Sequence, residues 1–521
     1  MILADLDRHA RERPGERAVV EMSAGGTVRE VTWSALKVES DRVAGALLAL
    51  GVQPAENVAF QLPNRLEFVT IALGTLRAGA VCEPLMPIFR ERELEFMLRE
   101  SGARVLFVPD TFRGRDHAGM AAALREVLPG LEHVIVLGEG DGPPPLETGT
   151  YQYGTDTYQS PRGADFPALT PERHAQLLFT SGTSGEPKGA LHRHEVLDRA
   201  ADHHIEHFGL GGEDVIYSPS PLAHQTGFLY GMWIALRLGV PLVLQEVWDA
   251  EVGLDAMRRF GVTFVQAATP FLADLTRVSE ERGQAPDQLR TFVATGAAIP
   301  RELARRARDV LGTEVGGAWG TTESCLGCAF APGDPPELAW GSDGRALAGV
   351  SLRVVDDSGM PLPAGEEGNF EVHTDCLFDG YLNRPELTAE VVTDDGWYRT
   401  GDLARIDDQG YVRITGRIKD VINRGGEKVP VAEIEQLLHA HPAVRDVAIV
   451  AMPDERLGER ACAFMIGELD FDTMLEYLDS QRVSKTYWPE RLELVESLPR
   501  TPSGKIQKFV LRAQARELVT T

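Results

Sequence analysis

The segment "LLFTSGTSGEPKGALHRH" (residues 177–194) sets three glycines, four hydroxyl side chains and one lysine directly after an apolar run. The residues "AQLLFT" (175–180) have the character of a buried strand, so the loop leaves the carboxyl end of a strand, where open α/β sheets bind ligands. Glycines let the backbone approach a ligand closely, and backbone N–H groups, hydroxyls and an ammonium together form an anion nest. The segment therefore predicts a phosphate-binding loop, with a flexible glycine-rich turn as the alternative.

The order of residues in this loop differs from a Walker A loop. A Walker A loop has glycine directly before its lysine and Ser or Thr after it, whereas here Pro187 precedes Lys188 and Gly189 follows it. A phosphotransferase that uses the loop as a kinase would is therefore disfavoured. The predicted phosphate-binding residues are Thr180, Ser181, Gly182, Thr183, Ser184, Gly185 and Lys188.

Composition narrows the classes of partner. The 521 residues include 52 basic and 78 acidic side chains, which gives a formal net charge of −26. Such a surface repels nucleic acid and anionic membranes, so an anionic ligand must be held by a local site that works against the overall field. No segment reaches about 18 uncharged apolar residues, the length of a membrane span.

Cysteine usage and the N-terminal segment indicate a cytoplasmic protein. Five scattered cysteines are too few for a disulfide framework, and the pair Cys325 and Cys328 has no second ligand pair at a spacing typical of zinc sites. "MILADLDRHARERPGERAVV" (1–20) has no basic start followed by an apolar run, so no signal peptide is expected.

Short apolar runs alternate with amphipathic stretches, which favours parallel sheets covered by helices. Strands are predicted at 57–63, 103–109 and 133–139, and a helix at 67–80. Residues 138–169 are rich in Pro, Gly, Ser and Thr and are interpreted as a long surface connection.

The pattern of predicted helices and strands changes near residue 417. This change predicts a domain boundary, with domains at 1–417 and 418–521. The second part has the pattern of a small α+β domain. Its predicted elements are a helix at 431–441, a strand at 444–453, a helix at 472–483 and a strand at 491–499.

Four motifs in this order resemble the acyl-adenylate-forming (AMP-binding) superfamily, of the acyl-CoA synthetase and aryl-acid ligase type. They are "FTSGTSGEPKG" (179–189), "GAWGTTES" (317–324), the long run "GWYRTGDLARIDDQGYVRITGRIKDVINRGGEKVPVAEIE" (396–435) and "LPRTPSGKIQK" (498–508). The similarity extends from about Ala46 to Leu511. It implies an α/β fold with a large N-terminal domain of parallel-rich sheets covered by helices, a β-barrel-like subdomain and a small mobile α+β C-terminal domain.

The resemblance also implies a two-step reaction. A carboxylic acid attacks the α-phosphate of ATP, pyrophosphate leaves, and the acyl-AMP passes its acyl group to the thiol of CoA. Mg²⁺ is the expected metal cofactor. A carrier-protein thiol acting in trans, or a nitrogen nucleophile, is the alternative acceptor, and nitrite is an alternative acid. A homodimer is left open.

The resemblance assigns roles residue by residue. Lys505 would bridge the carboxylate and the α-phosphate, and Glu323 would bind Mg²⁺. Catalysis would further involve Lys188, Thr183 and His224. Lys419 would be the hinge of the mobile domain, and Gly425 and Gly426 would border the acceptor channel. The remaining nucleotide-binding residues would be Gly296, Ala297, Ala298, Trp319 (stacked on adenine), Gly320, Thr321, Thr322, Asp402 (on the ribose), Ile414 and Arg417.

"SPLAHQTGFLYG" (220–231) corresponds to the start of the acyl pocket in the superfamily, and its form is most similar to members that activate cyclic or aromatic acids. The predicted substrate-binding residues are His224, Gln225, Thr226, Gly227, Phe228 and Gly320. Gln225 could hydrogen-bond a ring substituent, or it could simply pack beneath the site. The nearby His203, His204 and His207 are interpreted as a solvated helix face rather than a metal site.

Two further observations bear on the function. The stretch 462–478 is shorter than usual and Trp488 replaces a small aliphatic residue, both on the face expected to meet the acceptor, which weakens the assignment of CoA. An ATP-binding regulatory protein without catalysis is a competing hypothesis, and the intact Lys505, Glu323 and Arg417 argue against it.

Overall fold

Two large mixed β-sheets form the framework of the N-terminal part in a computed structural model. The structure describes residues 1–138, 150–153, 156–159, 166–180, 187–296, 299–425, 427–500 and 506–518. The α/β class expected from the alternating pattern is confirmed, and none of the described helices combines the length and apolar character needed to cross a membrane.

The first sheet has seven strands and carries the glycine-rich segment. The four pairings from His174–Thr180 across to His133–Leu137 are parallel, whereas both pairings of Lys188–Arg193 are antiparallel. In order across the sheet, the strands are Gly380–Tyr381, Lys188–Arg193, His174–Thr180, Val81–Pro84, Asn57–Phe60, Val105–Pro109 and His133–Leu137.

The second sheet has nine strands, and its six central strands are parallel. Strands that are buried on both faces read as nearly continuous apolar runs, as in Phe264–Ala268, where Gln266 is the one polar residue. In order, the strands are Arg345–Ala346, Cys325–Ala329, Glu314–Thr321, Thr291–Thr295, Phe264–Ala268, Ile216–Ser218, Leu242–Gln245, Arg17–Met22 and Val28–Thr32.

Helices cover both sheets. Thr32 caps Trp33–Ala49 by accepting from the Ala35 N–H at 3.3 Å. This helix crosses Leu66–Arg77 closely, because a Cβ on Gly74 would lie 2.5 Å from Val43 Cβ. The other helices of this part are Ile2–Glu12, Glu91–Ser101, His117–Val127, His194–Phe208, Gln225–Gly227, the π-helix Phe228–Trp233, Ile234–Leu238, Ala250–Phe260, Thr269–Arg282, Arg301–Leu311, Pro336–Gly341 and Pro385–Val391.

The β-barrel-like subdomain expected from the resemblance is a four-stranded antiparallel sheet. Its strands are Val350–Val355, Gly368–Thr374, Tyr398–Ile406 and Val412–Arg417. Trp319 and Cys328 of the nine-stranded sheet pack into its apolar face. The predicted domain boundary at residue 417 coincides with the end of the last of these strands.

The C-terminal part folds around a separate sheet with its own apolar core. Its strands are Glu427–Val429, Ile422–Arg424, Gly458–Gly467 and Val444–Asp454, and Arg491–Leu494 pairs in parallel with Gly458–Gly467. Its helices are Val431–His439, Phe471–Ser480 and Lys508–Glu517, with short 3-10 turns at Ile418–Asp420 and Lys485–Tyr487.

Three details add to the sequence-based expectations. Residues 138–169 are not structureless throughout, because Thr150–Tyr153 pairs with Asp156–Gln159. Two short strands, Thr111–Phe112 and Arg115–Asp116, form a further hairpin. Trp488 belongs to the rim of the C-terminal core, where its Nε1 donates to the Val483 carbonyl at 3.0 Å.

Candidate active site

The glycine-rich segment joins two antiparallel strands. Thr180 ends His174–Thr180, and its pairing partner is Lys188, the first residue of the next strand. The Thr180 hydroxyl donates to the Lys188 carbonyl at 3.4 Å. The predicted phosphate ligands Ser181, Gly182, Thr183, Ser184 and Gly185 lie outside the described residues. The hairpin fixes where that loop begins and ends.

Tyr381 connects the lysine of this hairpin to the predicted metal-binding glutamate. The Lys188 ammonium lies 5.0 Å from the centroid of the Tyr381 ring. The Tyr381 hydroxyl donates to Glu323 Oε1 at 2.7 Å, and the backbone brings Tyr381 there by pairing with Ala190. Burial and the adjacent Glu323 carboxylate raise the pKa of Tyr381, so this phenol stays a hydrogen-bond donor. Tyr381 stands in none of the four motifs, and no local pattern of the sequence predicted its role.

The turn that carries Glu323 is held by its own side chains. Thr321 Oγ1 and Ser324 Oγ are 2.9 Å apart, and the Ser324 N–H donates to Thr321 Oγ1 at 3.1 Å. From the hairpin, His192 Nε2 donates to the Thr322 carbonyl at 2.8 Å. Burial lowers the pKa of His192 to about 4, which keeps the ring neutral with its proton on the donating nitrogen. His192 stands inside the quoted segment, yet nothing in its local sequence indicated this contact.

The predicted adenine and ribose residues meet each other directly. Trp319 Nε1 donates to Asp402 Oδ2 at 2.9 Å, and Arg417 Nε lies 3.0 Å from Asp402 Oδ1. Asp402 is buried, whereas Arg417 is exposed. Ile414 lies three residues before Arg417 in the same strand, and its N–H donates to Asp343 Oδ2 at 2.8 Å. This cluster could bind the hydroxyls of a ribose at its exposed edge.

Trp319 is more enclosed than an adenine platform would need to be. Its ring is 9 % exposed and packs edge-to-face on Phe370, with the centroids 4.8 Å apart. Much of its surface is therefore used by the contact between the nine-stranded and four-stranded sheets. Stacking of adenine on Trp319 stays a prediction.

A small cavity opens beside these groups and gathers most of the predicted substrate residues. Of the predicted residues, it is lined by His224, Gln225, Thr226, Gly296, Gly320, Thr321 and Thr322. Its other lining residues, which sequence analysis did not single out, are Ser220, Tyr230, Ala268, Thr295, Cys325 and Leu326. These additional lining residues come from five separate segments of the chain, and strand pairing within the sheet brings those segments together.

Two predicted pocket residues lie behind the lining. Phe228 is fully buried against Phe68 and Trp233, with centroid distances of 6.4 and 5.9 Å. A Cβ on Gly227 would lie 2.3 Å from the Pro221 carbonyl oxygen, so this glycine serves packing of the helical turn. The expectation that both residues form pocket walls is corrected, because the start of the π-helix at Phe228 directs the aromatic ring into the core.

Backbone crowding shapes the other side of the cavity. A Cβ on Gly320 would lie 2.4 Å from the Cys325 carbonyl oxygen, so only glycine fits between the two strands. Cys325 itself has a φ of +57°, in the left-handed region that is rare for residues with a side chain. Such a conformation persists only where surrounding structure imposes it, and these positions cluster at ligand sites.

The predicted hinge lies next to the cluster of Trp319, Asp402 and Arg417. Lys419 is in the 3-10 turn Ile418–Asp420, and desolvation together with the Arg417 guanidinium lowers its pKa. Asp420 pairs with Arg512 of the C-terminal helix. Gly425 has a φ of +62°, typical of a tight turn. Gly426, Lys505, Ala297 and Ala298 lie outside the described residues.

The histidine-rich helix is not a solvated face, and that interpretation was wrong. His204 is fully buried and stacks on Tyr230 with the ring centroids 4.9 Å apart. Burial lowers its pKa well below the ordinary value. His207 Nε2 donates to the Phe330 carbonyl at 2.8 Å, and His203 Nδ1 lies 3.7 Å from Cys376 Sγ. The helix packs against the side of the molecule that contains the cavity. Its polar sequence gives no indication of this packing.

Glu323 fits the expected metal role. Its carboxylate is buried, and the Tyr381 bond occupies one lone-pair position of Oε1. A carboxylate has about four such positions, so further oxygen sites remain for a hard cation such as Mg²⁺. When bound, Mg²⁺ would neutralise part of the charge of the triphosphate.

The described geometry is that of an ATP-dependent adenylating enzyme, and the chain belongs to the AMP-binding enzyme family. The family model "AMP-binding enzyme" matches residues 6–382, and the model "AMP-binding enzyme C-terminal domain" matches residues 433–505. Homologous enzymes are acid–CoA ligases and aryl-acid adenylating enzymes.

Individual relatives differ in their acids. The chain is 35 % identical to a medium-chain fatty-acid–CoA ligase of Escherichia coli over 99 % of this chain and 91 % of that protein. It is 33 % identical to the salicyl-AMP ligase / salicyl-S-ArCP synthetase of Mycobacterium tuberculosis over 98 % of this chain and 90 % of that protein. A crystal structure of an anthranilate CoA ligase in complex with anthranoyl-AMP superposes with a TM-score of 0.88 at 26 % identity, covering 100 % of this chain and 98 % of that one.

Proposed function

We propose that this enzyme activates a compact ring-bearing carboxylic acid as its acyl-AMP, releases pyrophosphate, and transfers the acyl group to the thiol of CoA. The observation that supports the proposal is that one turn contributes both to the cavity and to the group of charged residues beside it. The turn Thr321–Thr322–Glu323 faces the cavity through its two threonines and reaches Tyr381 and Lys188 through Glu323. One turn thus joins a place for an acid to a place for a triphosphate.

In the first step, each charged group would hold a different part of the nucleotide. Lys188 would hold the outer phosphates, and Glu323 would hold Mg²⁺ beside them. Asp402, aligned by Trp319 and Arg417, would accept from the ribose hydroxyls. With the nucleotide held at both ends, the acid in the cavity would be aligned with the α-phosphate, and such alignment supplies much of the rate enhancement in phosphoryl-type transfers.

The ring acid is favoured over a fatty acid by the form of residues 220–231, which is most similar to family members that activate cyclic or aromatic acids. The cavity has a volume of about 60 Å³, which holds a few water molecules, so its size does not choose between the two classes of acid. The relatives named above include enzymes of salicylate and anthranilate, as well as one of medium-chain fatty acids, so the family alone does not choose between these acids.

The acceptor is proposed to be CoA, with a carrier-protein thiol as the second candidate because the salicyl-AMP ligase named above carries a carrier protein in its name. Both acceptors require the adenylate to be made first. Incubation with ATP, Mg²⁺ and a panel of acids should yield AMP and pyrophosphate, whereas ADP would indicate a kinase. Mass spectrometry with and without CoA then identifies the acceptor, since an adenylate that persists with CoA present contradicts thiol transfer to CoA.

Lys505 is proposed to act in the first step only. Lys505→Ala should reduce adenylate formation by orders of magnitude and leave the use of a preformed adenylate with CoA largely intact. Equal loss of both half-reactions would contradict a C-terminal domain that moves about Lys419 between the steps.

A cytoplasmic location is proposed because the five cysteines, all buried, form no disulfide in the structure. A homodimer stays a hypothesis that light scattering can test.

A further inference from the structure

A group of metal-ligating side chains lies outside the candidate active site. Among the described residues, His203, Asp375 and Cys376 each place one ligand atom within 4.8 Å of those of the other two. His203 Nδ1 lies 3.7 Å from Cys376 Sγ, and Asp375 Oδ1 lies 3.5 Å from the same sulfur. A nitrogen, an oxygen and a sulfur ligand thus meet at one point, although the histidine is 173 residues away from the cysteine in the chain.

The separations are those of ligands around a tetrahedral zinc ion. Zinc binds thiolate sulfur at about 2.3 Å and imidazole nitrogen or carboxylate oxygen at about 2.0–2.2 Å. At the tetrahedral angle, these bonds place the nitrogen or the oxygen roughly 3.6 Å from the sulfur. The observed separations of 3.7 and 3.5 Å agree with that value, so the three side chains already have the spacing of a ligand set.

Asp375 and Cys376 converge because they stand in a turn. The Cys376 N–H donates to Thr374 Oγ1 at 3.0 Å, at the end of the strand Gly368–Thr374. Consecutive side chains of a strand point to opposite faces, whereas this turn brings the carboxylate and the thiol together. Cys376 is buried, His203 is half-buried and Asp375 is exposed, so a cation can reach the group from solvent.

Neighbouring residues hold two of the ligands in place. Arg199 Nη1 donates to the Asp375 carbonyl at 2.9 Å, and Arg199 Nε lies 3.4 Å from Asp375 Oδ2, which leaves Oδ1 beside the sulfur. Gly349 lies against the same group, because a Cβ there would lie 2.8 Å from His203 Cε1 and 3.4 Å from Asp375 Oδ1. Metal ligands in proteins are typically oriented by such surrounding contacts.

We propose that His203, Asp375 and Cys376 bind one Zn²⁺ ion, with a water molecule in the fourth position. A soft sulfur ligand together with an imidazole favours zinc over a hard cation such as Mg²⁺. On binding, the thiol gives its proton to solvent, and the sulfur bonds the ion as a thiolate. The aspartate and the thiolate together then match the double charge of the ion.

The ion would clamp the helix His194–Phe208 to the segment that supports Glu323. Two residues after Cys376, the Phe378 N–H donates to the Glu323 carbonyl at 2.7 Å. The same segment continues to Tyr381, whose hydroxyl donates to Glu323 Oε1. Because an ion that binds the folded protein more tightly than the unfolded chain stabilises the fold, Zn²⁺ should raise the Tm.

The test titrates the full-length protein with Co²⁺ and with Zn²⁺, each alone and without ATP or an acid. Co²⁺ can take the place of zinc, and a charge-transfer absorption band reports a thiolate bound to it. The expected result is saturation at one equivalent per chain, a band that Zn²⁺ removes, and a rise of Tm with Zn²⁺ that excess Mg²⁺ does not abolish. Glu323 has no sulfur and cannot produce the band, and the result does not depend on the proposed function.

Asp375→Asn, His203→Gln and Cys376→Ala should each weaken Zn²⁺ binding at least about tenfold, and Cys376→Ala should also abolish the band. Asp375 is exposed, so Asp375→Asn keeps the test decisive if a variant of a more buried ligand fails to fold. Cys462→Ala and His133→Gln are the matched controls, a buried cysteine and a half-buried histidine elsewhere in the chain, and both should bind Zn²⁺ like the parent protein.

Three outcomes overturn the inference. The first is the absence of saturable binding, which would leave ordinary hydrogen bonds of the thiol as the only role of the group. The second is a charge-transfer band that persists in Cys376→Ala. The third is a Zn²⁺ affinity that is unchanged in both Asp375→Asn and His203→Gln.

Discussion

The hydroxyl of Tyr381 donates a 2.7 Å hydrogen bond to Glu323, while the ring of the same tyrosine lies 5.0 Å from the Lys188 ammonium. One aromatic residue thus touches both the cation expected to hold phosphate and the anion expected to hold Mg²⁺. Its position follows from the short strand Gly380–Tyr381, which pairs beside the hairpin of Lys188.

Tyr381→Phe keeps the ring beside Lys188 and removes only the hydrogen bond to Glu323. The carboxylate is then less well oriented, so the Mg²⁺ concentration for half-maximal pyrophosphate release should rise about tenfold, since bonds to charged groups contribute roughly 1.5–3 kcal/mol. Tyr411→Phe is the control, because its hydroxyl bonds Asp334 away from the cavity. An unchanged Mg²⁺ dependence would show that Tyr381 does not position Glu323.

Asp402→Asn tests the ribose-binding assignment. The substitution preserves the shape of a buried side chain but removes the charge that faces Arg417 and accepts from Trp319. The KM for ATP should rise by about ten- to hundredfold, and the fluorescence of Trp319 should change. Asp408→Asn, at an exposed turn position, provides the comparison. Equal KM values for the two variants would remove Asp402 from the nucleotide site.

His192 is expected to position the Thr322–Glu323 turn. His192→Ala deletes the donor to the Thr322 carbonyl and should lower kcat/KM for ATP about tenfold, whereas His192→Gln, which can place a nitrogen near the lost Nε2, should restore part of it. A merely structural role would reduce thermal stability in both variants without this rescue of kcat/KM.

Glu83 makes stability depend on pH. It is fully buried in the strand Val81–Pro84, and burial raises its pKa from 4.5 to about 8. Between these values the folded protein binds more protons than the unfolded chain, so this group's contribution to stability falls as the pH rises from 4.5 through 8.

Glu83→Gln should therefore raise the Tm at pH 8.5 more than at pH 5, by an amount that corresponds to a few kcal/mol at most. Calorimetry of the parent, Glu83→Gln and the exposed control Glu496→Gln measures the difference. A Tm difference that does not depend on pH would contradict a titrating Glu83.

Gly320→Ala should damage both stability and activity. The new methyl group would meet the Cys325 carbonyl at 2.4 Å, so the strands must separate at a cost of about 1–3 kcal/mol. Gly15→Ala is the control, because a Cβ there meets nothing within 4 Å. Equal melting temperatures and activities of the two variants would refute the crowding argument.

Local motifs pointed to the charged residues of the candidate site, but they did not identify the residues that surround those charges. Lys188, Glu323, Asp402 and Arg417 stand in motifs that resemble those of the family, and their roles stay predictions. The structure links Lys188 to Glu323 through Tyr381 and pairs Asp402 with Arg417. Tyr381 and His192 were missed because their contacts arise from strand pairing across long stretches of the chain, which no local pattern reports.

The errors have the same origin. The polar residues around His204 indicated that this face of the helix His194–Phe208 is exposed to solvent. The sheet and the π-helix bury His204 instead. Phe228 stands in the pocket segment, but helical geometry turns it inward. Side-chain direction depends on the packing partner, which the sequence of one segment does not contain.

The antiparallel hairpin beneath the glycine-rich segment has one more consequence. In the part of the chain that the structure describes, a strand rather than a helix begins at Lys188, so no helix dipole starts at this residue. Attraction for the triphosphate would then depend on discrete ammonium, hydroxyl and N–H groups within a protein of net charge −26. The repulsion of that surface extends about 30 Å in 0.01 M salt but only about 8 Å at physiological ionic strength. Capture of ATP should accordingly be faster in ordinary cellular salt than in dilute buffer, the reverse of the behaviour of a positively charged nucleotide cleft.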